Sequence, residues 1–404
     1  MRPLLIALCV SLLGSRALFA QGPQGDDEYV RIELLGAVNG TANVRSTYDV
    51  SVTTAGATTF VIRGIAGRQG GDIGVIDRMT GETLKSAVEG NNLRVTLARP
   101  VPRGGETRLR VVWTRTDTNV SFRDGGAIVF SAPLAVMRAA FVLPPRYELV
   151  SANVPVQVIE ESDGRIAASL MNIVPGSKLD VTIRAVPVTA RQESTAPAGS
   201  APTPPMADAP AREQPMNQIR VSERAFQDRE IVYFLKEPET HAFSLYHDYT
   251  AAREGEHQYV NVVRTGSAVS EPSAIVLDTG QVLKTRTLTG ADVAREKIDI
   301  PDRVEPDTQL VLIPFTAVKK GESVRLRISE TYTDPARYAL VEGQLMWHRS
   351  FGRPRNDMVL PAGWYLTTSS MPAVISQEPD GRVRLSFWNP RPDNVDVFVK
   401  ARRR

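Results

Sequence analysis

Four histidines and one Asp-Thr-Gly run are the side chains here with the most evident chemical potential. His241, His247, His257 and His348 all fall in the second half of the 404-residue chain. His241 and His247 share parity, so on one continuous strand they would face the same side, with Asp248 opposite. A zinc site needs three such ligands converging, normally at tighter spacing, and ordinary strand histidines are the simpler reading. The run Ile275-Val276-Leu277-Asp278-Thr279-Gly280 spells half of an aspartic-protease site. That chemistry takes two Asp-Thr/Ser-Gly loops whose carboxylates share one proton. The related stretch of the first half, Asp77-Arg78-Met79-Thr80-Gly81, carries two extra residues and breaks the pattern. Asp278 therefore reads as the opening of a hairpin turn, with Gly280 supplying a positive φ. No Gly-x-Ser-x-Gly elbow, phosphate loop or dinucleotide fingerprint occurs. A glycosidase pair among the 45 acidic residues stays open, because distance and not spacing defines it. The sequence assigns no catalytic residue, no metal ligand and no cofactor.

Recognition has better candidates. His348-Arg349-Ser350-Phe351-Gly352-Arg353-Pro354-Arg355-Asn356 concentrates cations in what reads as a loop. The first half has Ser131 to Arg138 there, with one charge at its end. The difference nominates His348, Arg349, Arg353 and Arg355 for an anionic ligand or an acidic partner. Trp364 and Trp388 join them as stacking surfaces, although Trp347, Trp364 and Trp388 align with Phe130, Tyr147 and Met171, a pattern that favours core positions.

The elements that must hold these side chains are strands. Leu109–Trp113, Leu179–Ile183, Val324–Ile328 and Val395–Val399 alternate apolar and polar residues with period two, as half-buried strands do. Asp163-Gly164, Asp380-Gly381 and Gly90-Asn91-Asn92 punctuate them at hairpin spacing. Residues 290–297 read as one short helix. The halves repeat each other at one constant offset: Arg108-Leu109-Arg110 and Arg325-Leu326-Arg327, Thr114-x-Thr116-Asp117 and Thr331-x-Thr333-Asp334, Val142-Leu143-Pro144 and Val359-Leu360-Pro361. Asp163-Gly164-Arg165 and Asp380-Gly381-Arg382 continue the series, with Asn172 and Pro175 matching Asn389 and Pro392. A repeat this long is a domain duplication and not a solenoid unit. The expected architecture is all-β, two homologous antiparallel β-sandwich-like domains in tandem at 26–189 and 219–404. Residues 190–218, rich in Ala, Pro, Ser and Thr, read as a disordered or extended linker.

The leader sets the compartment. Arg2, the apolar run from Leu4 to Leu13 and small residues up to Ala20 form a secretory signal peptide over 1–20, cleaved after Ala20. Cys9 is the single cysteine and goes with the leader, so the mature chain has no disulfide and no thiolate ligand. The formal charge of +3 falls further once Arg2 and Arg16 are removed, which excludes a nucleic-acid partner driven by charge. The apolar run is too short to span a bilayer. A periplasmic or extracellular protein without membrane insertion is expected.

The succession of Gly105-Glu106 or Gly321-Glu322, an alternating strand, Val-Leu-Pro and an Asp-Gly hairpin resembles the β-rich N-terminal domain of M1-type aminopeptidases. That family's catalytic part carries a His-Glu-x-x-His zinc helix, which this sequence lacks. The resemblance implies extended β-sheets and a non-catalytic role. The expected function is binding or scaffolding in the cell envelope, with a protein, peptide or glycan as partner. Two alternatives stand beside it: a secreted hydrolase with a carboxylate or histidine site, and an adhesion or assembly module using sheet edges.

Overall fold

The computed structural model describes residues 25–38, 41–64, 73–174, 177–188, 230–263, 266–296, 298, 304–391 and 393–404. The leader with Cys9 and Ala20, the linker at 190–218, and Pro175 and Pro392 lie outside them. The described chain is almost entirely β, as the alternating runs require. It falls into two compact units, one made of Thr47–Thr114 with the described end of Met1–Tyr29, the other of Val30–Ser46 with Arg115–Arg404.

The first seven strands are β1 (Gly25–Val38), β2 (Thr41–Val52), β3 (Thr59–Arg63), β4 (Ile73–Asp77), β5 (Ser86–Glu89), β6 (Asn92–Thr96) and β7 (Thr107–Asp117). In the first unit β3 and β5 flank β6 in an antiparallel sheet, with Phe60 opposite Val95 and Ile62 opposite Leu93. β4 pairs with β7, placing Val75 opposite Val111. All six of these apolar residues are buried. Asp49 is buried inside this unit and accepts from Arg110 Nε and Nη2, each at 2.7 Å, and from Arg78 Nη1 at 3.0 Å.

The second unit continues with β8 (Val120–Phe122), β9 (Ile128–Leu134), β10 (Arg138–Val142), β11 (Tyr147–Glu160), β12 (Ile166–Met171) and β13 (Leu179–Pro187). Beyond the linker come β14 (Glu230–Leu235), β15 (Ala242–Ala251), β16 (Gln258–Val262), β17 (Ala268–Val276), β18 (Val282–Leu283) and β19 (Arg286–Thr289). Helix α1 (Gly290–Glu296) follows where the sequence placed it. The chain ends with β20 (Gln309–Pro314), β21 (Val324–Thr333), β22 (Tyr338–Val341), β23 (Gln344–Phe351), β24 (Arg355–Val359), β25 (Trp364–Ser369), β26 (Ala373–Gln377), β27 (Val383–Trp388) and β28 (Val395–Arg403).

Twelve of these strands hydrogen-bond in one continuous order, β8-β9-β13-β11-β26-β27-β24-β14-β15-β21-β17-β18. The order draws strands from both sides of residues 190–218, and one core cluster runs from Phe130 and Val156 to Trp347 and Leu385. The expected purely antiparallel pattern needs one correction: β14 runs parallel to β24. More than a hundred residues separate the two strands, so no hairpin forces them antiparallel. Smaller antiparallel sheets, β22-β23-β28-β25 and β16-β20-β19, complete this unit.

Strand bounds and registers on either side of residues 190–218 recur at the sequence offset. β10 pairs with β12 through Arg138 opposite Met171, and β24 with β27 through Arg355 opposite Trp388. Gln157 lies opposite Ser169, and Val374 opposite Ser386. The backbone N–H of Leu143 donates to Ile166 O and that of Leu360 to Val383 O, each at 2.9 Å.

Candidate functional site

The catalytic possibilities come apart in three dimensions. Asp278 sits in the turn between β17 and β18, where Gly280 has φ 73° and its N–H donates to Val276 O at 2.7 Å. Its carboxylate accepts from Arg325 Nε at 3.0 Å and Nη2 at 2.7 Å, which holds its pKa below the ordinary range. His241 is not on a strand: it closes a 3-10 turn with φ 53°, and its Nδ1 lies 2.8 Å from Tyr338 O. The shared-face argument for His241 and His247 required a continuous strand, and β15 begins one residue after His241. His247 is buried beside Tyr259, with ring centroids 5.7 Å apart, whereas His257 and His348 are exposed. Among the described residues no group of three His, Cys, Asp or Glu side chains could hold a metal ion. An open depression is lined by Ser267, Thr289, Asp307, Thr308, Gln309 and Thr333, with Asp307 its one carboxylate.

The six nominated binding residues divide into separate environments. The stretch from His348 is not one loop: β23 runs on to Phe351 and β24 begins at Arg355. Strand alternation then sends Trp347, Arg349 and Phe351 inward and His348 outward. Arg349 is 8 % exposed, and its Nη1 donates to the fully buried Asp334 at 3.1 Å. Its guanidinium lies 5.2 Å from the Phe243 ring centroid and 5.8 Å from those of Tyr233 and Tyr332. An enclosure of this kind compensates a desolvated cation, and it also closes Arg349 to any ligand. Trp364 is buried too, with Nε1 donating to Glu237 Oε2 at 3.2 Å. Arg353 is half-buried and its charge acts on Glu330.

Two nominees meet at the surface. Arg355 starts β24 and Trp388 ends β27, directly opposite each other, and Trp388 is 61 % exposed. Directly opposed residues on antiparallel strands have side chains within contact range. Glu230 flanks Arg355 from the parallel strand β14. The loop leaving Trp388 is held by Asn389, whose Nδ2 donates to Phe351 O at 2.8 Å and Asp393 O at 3.0 Å, while Oδ1 accepts from Arg391 N at 2.9 Å. Asn389 is buried, so its amide replaces water for carbonyls that would otherwise be unsatisfied. The first half has the same construction: Arg138 faces Met171, also 61 % exposed, and Asn172 Nδ2 donates to Ser177 O at 2.9 Å. A large side chain beside an arginine is thus presented twice, as thioether and as indole.

Some buried polar groups escaped the sequence reading. β21 points Leu326 and Ile328 into the core, and the same parity buries Glu330 and Tyr332. Asn261 Nδ2 donates to Glu330 Oε1 at 2.9 Å, Oε2 at 2.8 Å and Tyr332 Oη at 2.9 Å. Burial raises the Glu330 carboxyl above the usual range, against the lowering effect of these bonds. Asp117 and Asp334 were visible as the last residue of the repeated Thr-x-Thr-Asp, a signal that marked them as equivalent without marking them as buried.

Comparisons with known proteins add little to this geometry. No protein-family model matches the chain, and no curated protein matches it. Among solved structures, a variant of the M1 zinc metallopeptidase from Deinococcus radiodurans bound to a Tyr-Ser-Ala substrate matches at 13% identity and a TM-score of 0.26. That match covers 40% of this chain and 41% of the other. The unsubstituted enzyme from the same organism matches at 11% identity over 40% of each chain, with a TM-score of 0.26. A two-domain M1 zinc metallopeptidase variant bound to L-tryptophan gives 12% identity, 41% and 43% coverage, and a TM-score of 0.27. The chain spans less than half the length of these peptidases. The resemblance to M1 metallopeptidases is therefore present and faint, and no functional argument rests on it.

Proposed function

We propose that this chain is an exported, non-catalytic binding protein of the cell envelope, built from two copies of one β-domain. Its ligand-contacting corner is the Arg355–Trp388 pair. One observation carries the reading: an indole 61 % exposed stands opposite a guanidinium, on a loop fixed by a buried asparagine. Exposed Trp and Arg on a rigid support are the residues that dominate recognition energetics. The composition of the corner suits an anionic group stacked or hydrogen-bonded at its edge, such as an acidic peptide or a uronic-acid glycan. Duplication is supported by the shared strand bounds and registers, and export by the leader pattern at 1–20. The hydrolase alternative has no observation in its favour among the described residues, since Asp278 is held by Arg325 and the histidines lie apart.

Tryptophan emission tests the reading directly. Trp347 and Trp364 are buried and Trp113 is half-buried, so Trp388 is the most exposed of the four tryptophans. Titration with acidic peptides and with uronic-acid oligosaccharides should quench or shift that emission, and Trp388→Phe should abolish the response. A flat signal with both ligand classes overturns the proposed corner.

A further inference from the structure

The contact between the two halves has the pattern of a two-fold interface. β11 pairs antiparallel with β26, placing Val156 opposite Ala373 and Ala152 opposite Ile375, all four buried. At the offset that relates the halves, Ala373 is the equivalent of Val156, so the strand crosses its own counterpart. An antiparallel strand meeting its copy at the same residue is what a two-fold axis produces; the register shift between Ala152 and Val156 takes the Ala152–Ile375 pair off that axis.

Flanking contacts converge on one equivalent acceptor position from neighbouring donor positions, since Arg184 corresponds to Ala401 and Arg402 to Ala185. Glu160 and Gln377 are equivalent positions at the ends of β11 and β26. Arg402 of β28 reaches Glu160 Oε1 at 2.5 Å, and Arg184 of β13 donates to Gln377 Oε1 at 3.3 Å. β13 and β28 are themselves the equivalent last strands of each half. Each half thus sends an arginine from its last strand to the same acceptor position of the other. Arg404 Nε adds a contact to the buried Glu148 Oε1 at 2.6 Å, and Gln157 Nε2 donates to Ser370 O at 3.3 Å.

We propose that β11 and β26 form a self-complementary joint whose natural partner is the equivalent strand of another copy of the same domain. In one chain that partner is supplied in cis. A second copy of this chain supplies it in trans, giving a dimer in which the halves are exchanged. The proposal rests on the halves being copies and is independent of ligand binding at Trp388, so a failed titration there leaves it standing.

Two measurements on the full chain test it. First, a specific protease site is introduced within 190–218 and cut. The fragments should co-elute at the mass of the uncut chain, and separate elution overturns the joint. Second, chains carrying Glu160→Arg and chains carrying Arg402→Glu are co-expressed with different tags. Each variant alone sets like charges across the joint, whereas the exchanged heterodimer restores an opposite-charge pair at both joints. Co-purification should rise roughly tenfold over co-expressed wild-type chains, with a species of twice the single-chain mass. Co-purification no higher than wild type overturns exchange in trans. Should either variant fold poorly alone, recovery of soluble protein on co-expression reads the same pairing.

Discussion

Two aspartates related by the repeated Thr-x-Thr-Asp run, Asp117 and Asp334, are both buried, and their cations come from different places. Asp117 is paired with Arg115, two residues earlier on β7, at 2.5 Å, with both side chains under 5 % exposed. Asp334, its equivalent after β21, takes Arg349 from β23 in another sheet. Where the first half has Arg115, the second has Tyr332, one of the rings around Arg349. Ser267 Oγ also donates to Asp334, at 2.9 Å. What the fold demands at this point is a compensated charge, and the position of the donor is negotiable. The first ion pair lies within one strand, with Arg115 Nε also donating to Ser46 Oγ of β2 at 3.2 Å, whereas the second ties the long sheet to the four-stranded one.

The largest expected effect breaks the second solution. Arg349→Ala leaves Asp334 buried without its closest cation and empties an aromatic enclosure. It should cost about 3–5 kcal/mol, read from the urea midpoint. Arg115→Ala should fall at the lower end of that range, because its pair with Asp117 joins residues two apart on one strand and not two sheets. Equal losses would remove the distinction. Next in size, Asn389→Ala strands two loop carbonyls and should cost about 1–3 kcal/mol, with Asn172→Ala alike. Only the Asn389 change should also weaken ligand binding.

Glu330 gives a pH signature that its counterpart Trp113 cannot, and Glu148, also raised by burial, adds one of the same sign. A carboxyl whose folded pKa is raised stabilises the fold below its ordinary pKa, and that contribution disappears as pH rises through the folded value. Stability should therefore decline with pH just above the ordinary glutamate range, and Glu330→Gln should flatten the decline in urea midpoints measured across it. The smallest stability effects belong to the surface pair: Trp388→Ala and Met171→Ala should each stay within about 0.5 kcal/mol of wild type. Binding should fail in the first and survive in the second.

Alternation carried much of the fold into view from the sequence. It marked β7, β13, β21 and β28, and the Asp-Gly turns marked the hairpins at Gly164 and Gly381, both with positive φ. The same alternation, extended one strand further, would have placed Arg349 inside with Trp347. Reading the cations from His348 onward as a loop concealed it, because charge clustering is a weaker guide to exposure than strand parity. Trp388 was misjudged for the opposite reason: alignment with Met171 suggested a core position, yet both end their strands in solvent. The parallel pairing of β14 with β24 leaves no local mark, since non-local partners are chosen by packing and not by turn chemistry.

The twelve-strand order ends in β8, three residues long, and β18, two residues long. A broad sheet with long terminal strands would recruit further chains along its free backbone, polymerising as concentration rises. Here β18 covers only Ala274 and Ile275 of β17, and β8 only Ile128–Phe130 of β9. The terminal strands are thus too short to template a full-length partner of their own, which limits lateral growth at those two strands.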